Sequence, residues 1–302
     1  MLIALALFVV ADVFLVWAAM SAARTPPPPT STDRVAMPSA PATPAPATAE
    51  PAVPAEAPAA PADFDVARPV ALLAAYDSLT AYRAITGECP VAPPEIEVTT
   101  DGGVSWDVVG VTDASAVEAI TPEGANTLSV IARDGGDCEP GVYRSFVQGA
   151  GWAEADELGD RWRLDEGAVV APGEGSVENP CASPVQVAGV SPVRAAVLCA
   201  DAVVQVTDDA GATWTPAGPI SGIAAIAARP DAVLVALERQ NGCDGLQVAT
   251  LDASLTLGEA GACITTQPTD GHTAVAVSND GAMVWLWSGG VVARSVDGGQ
   301  SW

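Results

Sequence analysis

One octapeptide constrains this chain more than any other feature. "TTDGGVSW" runs from Thr99 to Trp106, "TDDAGATW" from Thr207 to Trp214, and "SVDGGQSW" from Ser295 to Trp302. All three read Ser/Thr, any residue, Asp, any, Gly, any, Ser/Thr, Trp. Two weaker copies lie between them. "SFVQGAGW" keeps Ser145, Gly149 and Trp152, and "TLDASLTL" keeps Thr250, Asp252 and Thr256. The copies end at residues 106, 152, 214, 257 and 302, so their spacings are 46, 62, 43 and 45 residues. Self-similarity at this period, with room for a few short strands per unit, is the signature of a propeller.

The residues between the octapeptides agree. From Asp63 onward, short Val/Ala/Leu runs alternate with Gly, Asp, Asn and Pro, as strands of an all-β fold do. In the second unit, "AVEAITPEG" is the innermost strand, "TLSVIARDGG" the second, "GVYRSFVQGAG" the third and "WAEADEL" the outer one. The fifth repeats this with "TAVAVSNDG", "MVWLWSGG" and "VVARSVDGG" but shows no outer strand. Either residues 64–70 supply that strand and close the ring, or the chain is incomplete. The expected architecture is an all-β propeller of about five four-stranded antiparallel blades. One stretch, Val70 to Gly87, is open to a helical reading instead.

The octapeptide resembles the Asp-box, or BNR repeat. Residues 63–302 are therefore similar to the Asp-box β-propellers of the WD40/YVTN/BNR-like superfamily. That group includes sialidases, the sortilin ectodomain, certain xyloglucanases and a photosystem II assembly factor. The resemblance puts each box at the turn between the third and fourth strands of a blade. There the residue types have physical reasons. An Asp carboxylate accepts from backbone N–H groups just ahead of it. Gly supplies positive φ at little cost. The Ser/Thr hydroxyls satisfy further turn groups, and the Trp buries a large ring between sheets. Asp101, Gly103, Trp106, Gly149, Trp152, Asp209, Gly211, Trp214, Asp252, Asp297, Gly299 and Trp302 are thus expected to be structural. A site occurs once, whereas these recur at equivalent points.

Upstream of the repeats, Leu2 to Met20 is a run of 19 largely apolar residues, interrupted at Asp12. That is near the length needed to span a bilayer, so residues 1–23 are expected to be a helical anchor or a signal segment. Residues 24–62 are almost wholly Pro, Ala and Thr and cannot bury a core. They are expected to be a disordered, semi-rigid spacer reaching on the order of 100 Å. The chain carries a net charge of −25 and no lysine. The acidity argues against a nucleic-acid partner. The missing lysine excludes Schiff-base chemistry.

Six cysteines, at 89, 138, 181, 199, 243 and 263, form no CxxC pair, so neither zinc nor any other cofactor is expected. Cys89, Cys138, Cys199 and Cys243 fall in the hairpins between second and third strands. Cys181 and Cys263 fall in connections between units. Both kinds of loop lie on the propeller face opposite the boxes. An even number of co-located cysteines suits three disulfides in an oxidising compartment. Of the 15 pairings that six cysteines allow, we favour Cys181–Cys199 and Cys243–Cys263. The propeller is then expected outside the cytoplasm, anchored through residues 1–23, or secreted if that segment is cleaved.

Catalysis is weakly signalled. The resemblance to sialidases implies an arginine triad, a Tyr–Glu pair and an acidic Asp. Here "YRAI", Tyr82 to Ile85, keeps only the Tyr and Arg of the family's entry motif. His272 is the only histidine. The carboxylate-rich run Glu154 to Gly167 fits a solvated strand and loop, and Trp285 and Trp287 fit packing between blades. The expected function is a non-catalytic binding or scaffold module at the cell surface, with a protein or carbohydrate ligand on a propeller face. The alternatives are a glycosidase of the sialidase (exo-α-sialidase) or related class, and an assembly factor for a membrane complex.

Overall fold

A computed structural model describes residues 65–302, apart from 91–93, 112–113, 156–157, 174 and 241. The expected anchor and spacer lie outside the described residues. Among the described residues no helix is long and apolar enough to cross a membrane.

The described residues form six antiparallel sheets, and within each sheet every strand pairs with the next in the chain. Sheet 1 holds β1 (Ala71–Ala75), β2 (Ala81–Ile85), β3 (Glu95–Thr99) and β4 (Asp107–Val109). Sheet 2 holds β5 (Ala114–Pro122), β6 (Leu128–Asp134), β7 (Pro140–Ser145) and β8 (Ala153–Ala155). The small sheet 3 holds β9 (Arg163–Asp165), β10 (Ala168–Ala171) and β11 (Gly175–Ser176). Sheet 4 holds β12 (Pro184–Gly189), β13 (Ala195–Cys199), β14 (Val204–Thr207) and β15 (Thr215–Pro216). Sheet 5 holds β16 (Ile223–Ala228), β17 (Val233–Glu238) and β18 (Leu246–Leu251), and sheet 6 holds β19 (Thr273–Val277), β20 (Val284–Ser288) and β21 (Val291–Ser295).

The sheets stand face to face around a ring, and the apolar faces between them make the core. Tyr82, Ile96 and Val98 of sheet 1 meet Val117, Leu128 and Val130 of sheet 2. Leu198 and Val204 of sheet 4 meet Ile226 and Val235 of sheet 5. Leu234, Leu246 and Val248 of sheet 5 meet Val275, Val284 and Leu286 of sheet 6. Trp285 of sheet 6 meets Ala75 and Ala81 of sheet 1, which closes the circle. Face-to-face packing of both sides of each sheet explains why strands such as β13 and β17 read as continuous apolar runs. The fold is a β-propeller.

Three expectations differ from the structure. The box spacing suggests about five four-stranded units, whereas the described residues form six sheets, three of them with four strands. The 62-residue interval between the second and third boxes holds two sheets, and sheet 3 carries no box. Residues 70–87 are the β1–β2 hairpin rather than a helix. The Asp77 carboxylate decides it by accepting the N–H groups of Leu79 and Thr80, at 2.8 and 2.7 Å. Lastly, residues 65–70 add no outer strand to sheet 6, where β21 pairs with β20. They cross the ring as a strap, because Val66 donates its N–H to Ala200 O and Val70 donates to Gly271 O.

Candidate functional site

The box turns explain themselves atom by atom. At the first, Ser105 gives both its O–H (2.6 Å) and its N–H (3.0 Å) to Asp101, and Thr99 Oγ1 donates to Asp101 at 2.8 Å. The same Thr99 oxygen accepts the Gly103 N–H. Asp209 with Thr213 and Thr207, and Asp297 with Ser301 and Ser295, repeat the arrangement. Hydrogen bonds from Ser105 and then Thr99 hold the Asp101 carboxyl at about 2, and bonds from Ser295 and Ser301 hold Asp297 at about 2. These carboxylates are held by their own loops. Asp252 accepts from Ser254 and Thr256 in a shorter turn. In the second copy Val147 replaces the Asp, yet Ser145 still accepts the Gly149 N–H at 2.8 Å.

The box glycines serve a second purpose. Gly149, at φ +91°, lies so close to sheet 1 that an added Cβ would fall 2.8 Å from Val109. Gly211 and Gly299 press on Val177 and Val248 in the same way. The box tryptophans are partly buried beside them. Trp106 joins the sheet 6–sheet 1 contact, Trp152 packs on sheets 1 and 2, Trp214 packs on sheet 3, and Trp302 packs between sheets 5 and 6.

The ring encloses a central cavity of about 1010 Å³. Inner strands β1, β5, β12, β16 and β19 supply most of its wall, with Leu73, Ala119, Val187, Ala227 and Ala276 typical. Gln186 ties two of these strands together. Its amide donates to Ile226 O at 3.0 Å and accepts the Ile226 N–H at 2.9 Å. Charge enters the lining at Arg68 of the strap, at Glu118, Arg133 and Arg163 on strands β5, β6 and β9, and at Glu88 and Glu166 in loops. Arg133 is already committed, at 2.6 Å to Glu118 and 3.2 Å to Asp165, with a further bond to Cys138 O at 2.9 Å. No tyrosine lines the cavity among the described residues.

Beneath the strap lies a smaller pocket of about 240 Å³, bordered by Asp65, Val66, Glu238 and Asp270. Burial pushes the Glu238 carboxyl up, and a bond from the Thr273 hydroxyl pulls against it. Three disulfides join Cys89–Cys138, Cys181–Cys199 and Cys243–Cys263. The last two are the pairings the sequence favoured.

Several sequence candidates lie away from the cavity. Tyr82 is fully buried between sheets 1 and 2, and burial raises its phenol. Arg83 lies in the contact between sheets 6 and 1, paired to Glu97 at 2.6 Å, with its guanidinium over Trp106 and Trp287. Trp285 and Trp287 pack between sheets. Within Glu154 to Gly167, Asp165 pairs with Arg133, Glu166 lines the cavity, and 156–157 lie outside the described residues. His272 sits in a turn, its N–H on Thr269 O. Sequence reasoning passed over Glu118 and Arg133. Their signal was a charged residue inside an otherwise apolar strand, in a chain with only 12 cations.

No family model matches the chain, and no curated protein matches it. Solved structures that it is similar to include YCF48 bound to a D1 peptide, at 16% identity and a TM-score of 0.30, covering 78% of this chain and 66% of that one. The GH74 xyloglucanase from Xanthomonas campestris matches at 19% identity and 0.29, covering 76% of this chain and 37% of that one. The WD40 β-propeller domain of Doa1 matches at 9% identity and 0.40, covering 77% and 93%. This chain thus spans less than two thirds of the first two proteins, and at these identities the likeness concerns fold alone.

Proposed function

We propose that this protein is an exported, membrane-anchored propeller that binds or scaffolds without catalysis. One observation carries the reading. The wall of the central cavity is made mainly of small apolar side chains, and Glu238, the carboxyl that burial pushes up, borders the smaller pocket beneath the strap instead. Asp101, Asp209 and Asp297 are engaged by the hydroxyls and N–H groups of their own turns, and Glu118 is spent on Arg133. A glycosidase needs two carboxyl groups free to serve as acid and base or nucleophile. Three disulfides support a compartment outside the cytoplasm. The apolar run at residues 2–20 supports anchoring rather than free secretion. The ligand is a protein or carbohydrate on a propeller face, and a role in assembling a membrane complex is a special case of this reading.

The test is hydrolysis of a panel of fluorogenic glycosides, sialosides included, by the purified full-length chain. The expected rates equal those of the protein-free control. Turnover that Glu118→Gln abolishes would replace this reading with a glycosidase of the sialidase or related class.

A further inference from the structure

The three disulfides are not equivalent. Cys181–Cys199 ties the connection before β12 to the end of β13, spanning 18 residues, and Cys243–Cys263 ties the β17–β18 loop to the connection after β18, spanning 20. Cys89–Cys138 spans 49 residues and joins two sheets. It ties the β2–β3 loop of sheet 1 to the β6–β7 hairpin of sheet 2. Both of its residues line the central cavity, together with Thr86, Glu88 and Arg133. Each local bond also has one deeply buried partner, Cys199 at 1% exposure and Cys243 at 7%. Cys89 and Cys138 are both only partly buried, and exposed Glu88, Pro90, Asp137 and Glu139 flank them. Cys138 holds left-handed backbone at φ 66°, uncommon for a residue with a side chain.

Exchange chemistry turns these differences into selectivity. An attacking thiolate must reach one sulfur, and the other must leave as a thiolate. Attack on the partly buried Cys181 or the exposed Cys263 would expel the buried Cys199 or Cys243 as a thiolate, which burial opposes. At Cys89–Cys138 neither leaving sulfur belongs to a buried residue.

We propose that Cys89–Cys138 is a thiol–disulfide exchange site for an external dithiol, and that its reduction loosens the mouth of the central cavity while the propeller stays folded. One sulfur of the dithiol attacks Cys89 or Cys138, giving a mixed disulfide and one free protein thiol. The second sulfur then attacks the mixed disulfide. Two electrons and two protons pass to the protein, leaving Cys89 and Cys138 as thiols and the reductant as its disulfide. The acidic flank at Glu88, Asp137 and Glu139 repels anionic thiols, so a neutral dithiol reacts faster than glutathione. Once the bond opens, residues 86–89 are no longer fixed to Cys138.

Full-length protein is titrated with dithiothreitol, quenched with iodoacetamide and mapped by peptide mass spectrometry, with near-UV circular dichroism followed in parallel. Alkylation is expected at Cys89 and Cys138 while the other four cysteines stay bonded and the dichroism is retained. Hydrogen exchange is expected to rise about tenfold at residues 86–88 and 134–139. A Cys89→Ser/Cys138→Ser variant should fold and show the same exchange pattern. The proposal is overturned by labelling of another pair at the same reductant concentration, by unfolding on the first reduction, by unchanged exchange at the mouth, or by a double variant that does not fold.

Discussion

The contact that closes the ring, between sheets 6 and 1, and the contact between sheets 2 and 3 do the same geometric job with different chemistry. At the closing contact the inner strands are rich in alanine, so large side chains must fill the space. Trp285 is fully buried there and donates its indole N–H to Asp77 O at 3.1 Å. Arg294 lies over the Trp285 ring and donates to Ser78 O at 2.6 Å. Arg83 stands between Trp106 and Trp287, at 4.2 and 5.0 Å from their ring centres. Between sheets 2 and 3 the named links are mostly polar. They are Arg133 to Asp165, Arg161 to Glu123 at 2.8 Å, and Arg161 to the Ser129 hydroxyl at 2.7 Å. The closing contact therefore depends on packing, and the other on ion pairs that water and salt weaken.

Four measurements test this contrast. The largest effect is expected from Trp285→Ala, which removes a buried aromatic and should cost about 4 kcal/mol, or about 10 °C in Tm. A much smaller loss would mean that the ring does not close through this side chain. Next, Arg83→Ala leaves Glu97 without its partner and removes two cation–π contacts, at about 2 kcal/mol by denaturant unfolding. Arg161→Ala, its counterpart in the polar contact, should cost about 1 kcal/mol, less still in high salt. Equal losses for the two arginines would break the comparison.

The smallest effect concerns acid. Bonds hold the folded Asp101 carboxyl at about 2, below the ordinary value near 3.9 of an unfolded chain. The stability it contributes is thus fully present above that ordinary value and is lost as pH falls through about 2. Ser105→Ala should move Asp101 back toward the ordinary range, read by ¹³C NMR of the carboxyl. Resonances of Val169 and Val170 in sheet 3, which has no box, should not move with it. Coupled movement would show that the sheets do not respond independently.

What could be read from the sequence follows the same division. The box turns were legible because each carries its own hydrogen-bonding partners within eight residues, so one short pattern suffices. Sheet 3 was not, because strands of two to four residues without a box leave no periodic trace. The β1–β2 hairpin is ambiguous in the sequence because Leu and Ala at short spacing suit either state. A single carboxylate, Asp77, settled it through two backbone bonds. The cavity's charged residues were hidden for another reason. Glu118, Arg133 and Asp165 come from three strands in two sheets, and only the closed ring brings them together.

The strap has a practical consequence. Val66 is its buried point, and it reaches the ring at Ala200, next to Cys199 and among the loops that carry the disulfides. The polypeptide therefore joins the propeller on one face, while the box turns occupy the other. Attachment made directly at the strap, at residue 65, turns the cysteine-bearing rim toward the support and presents the box turns outward to the analyte. Capture through the box side reverses that display, so the two immobilisations would sample opposite faces for binding.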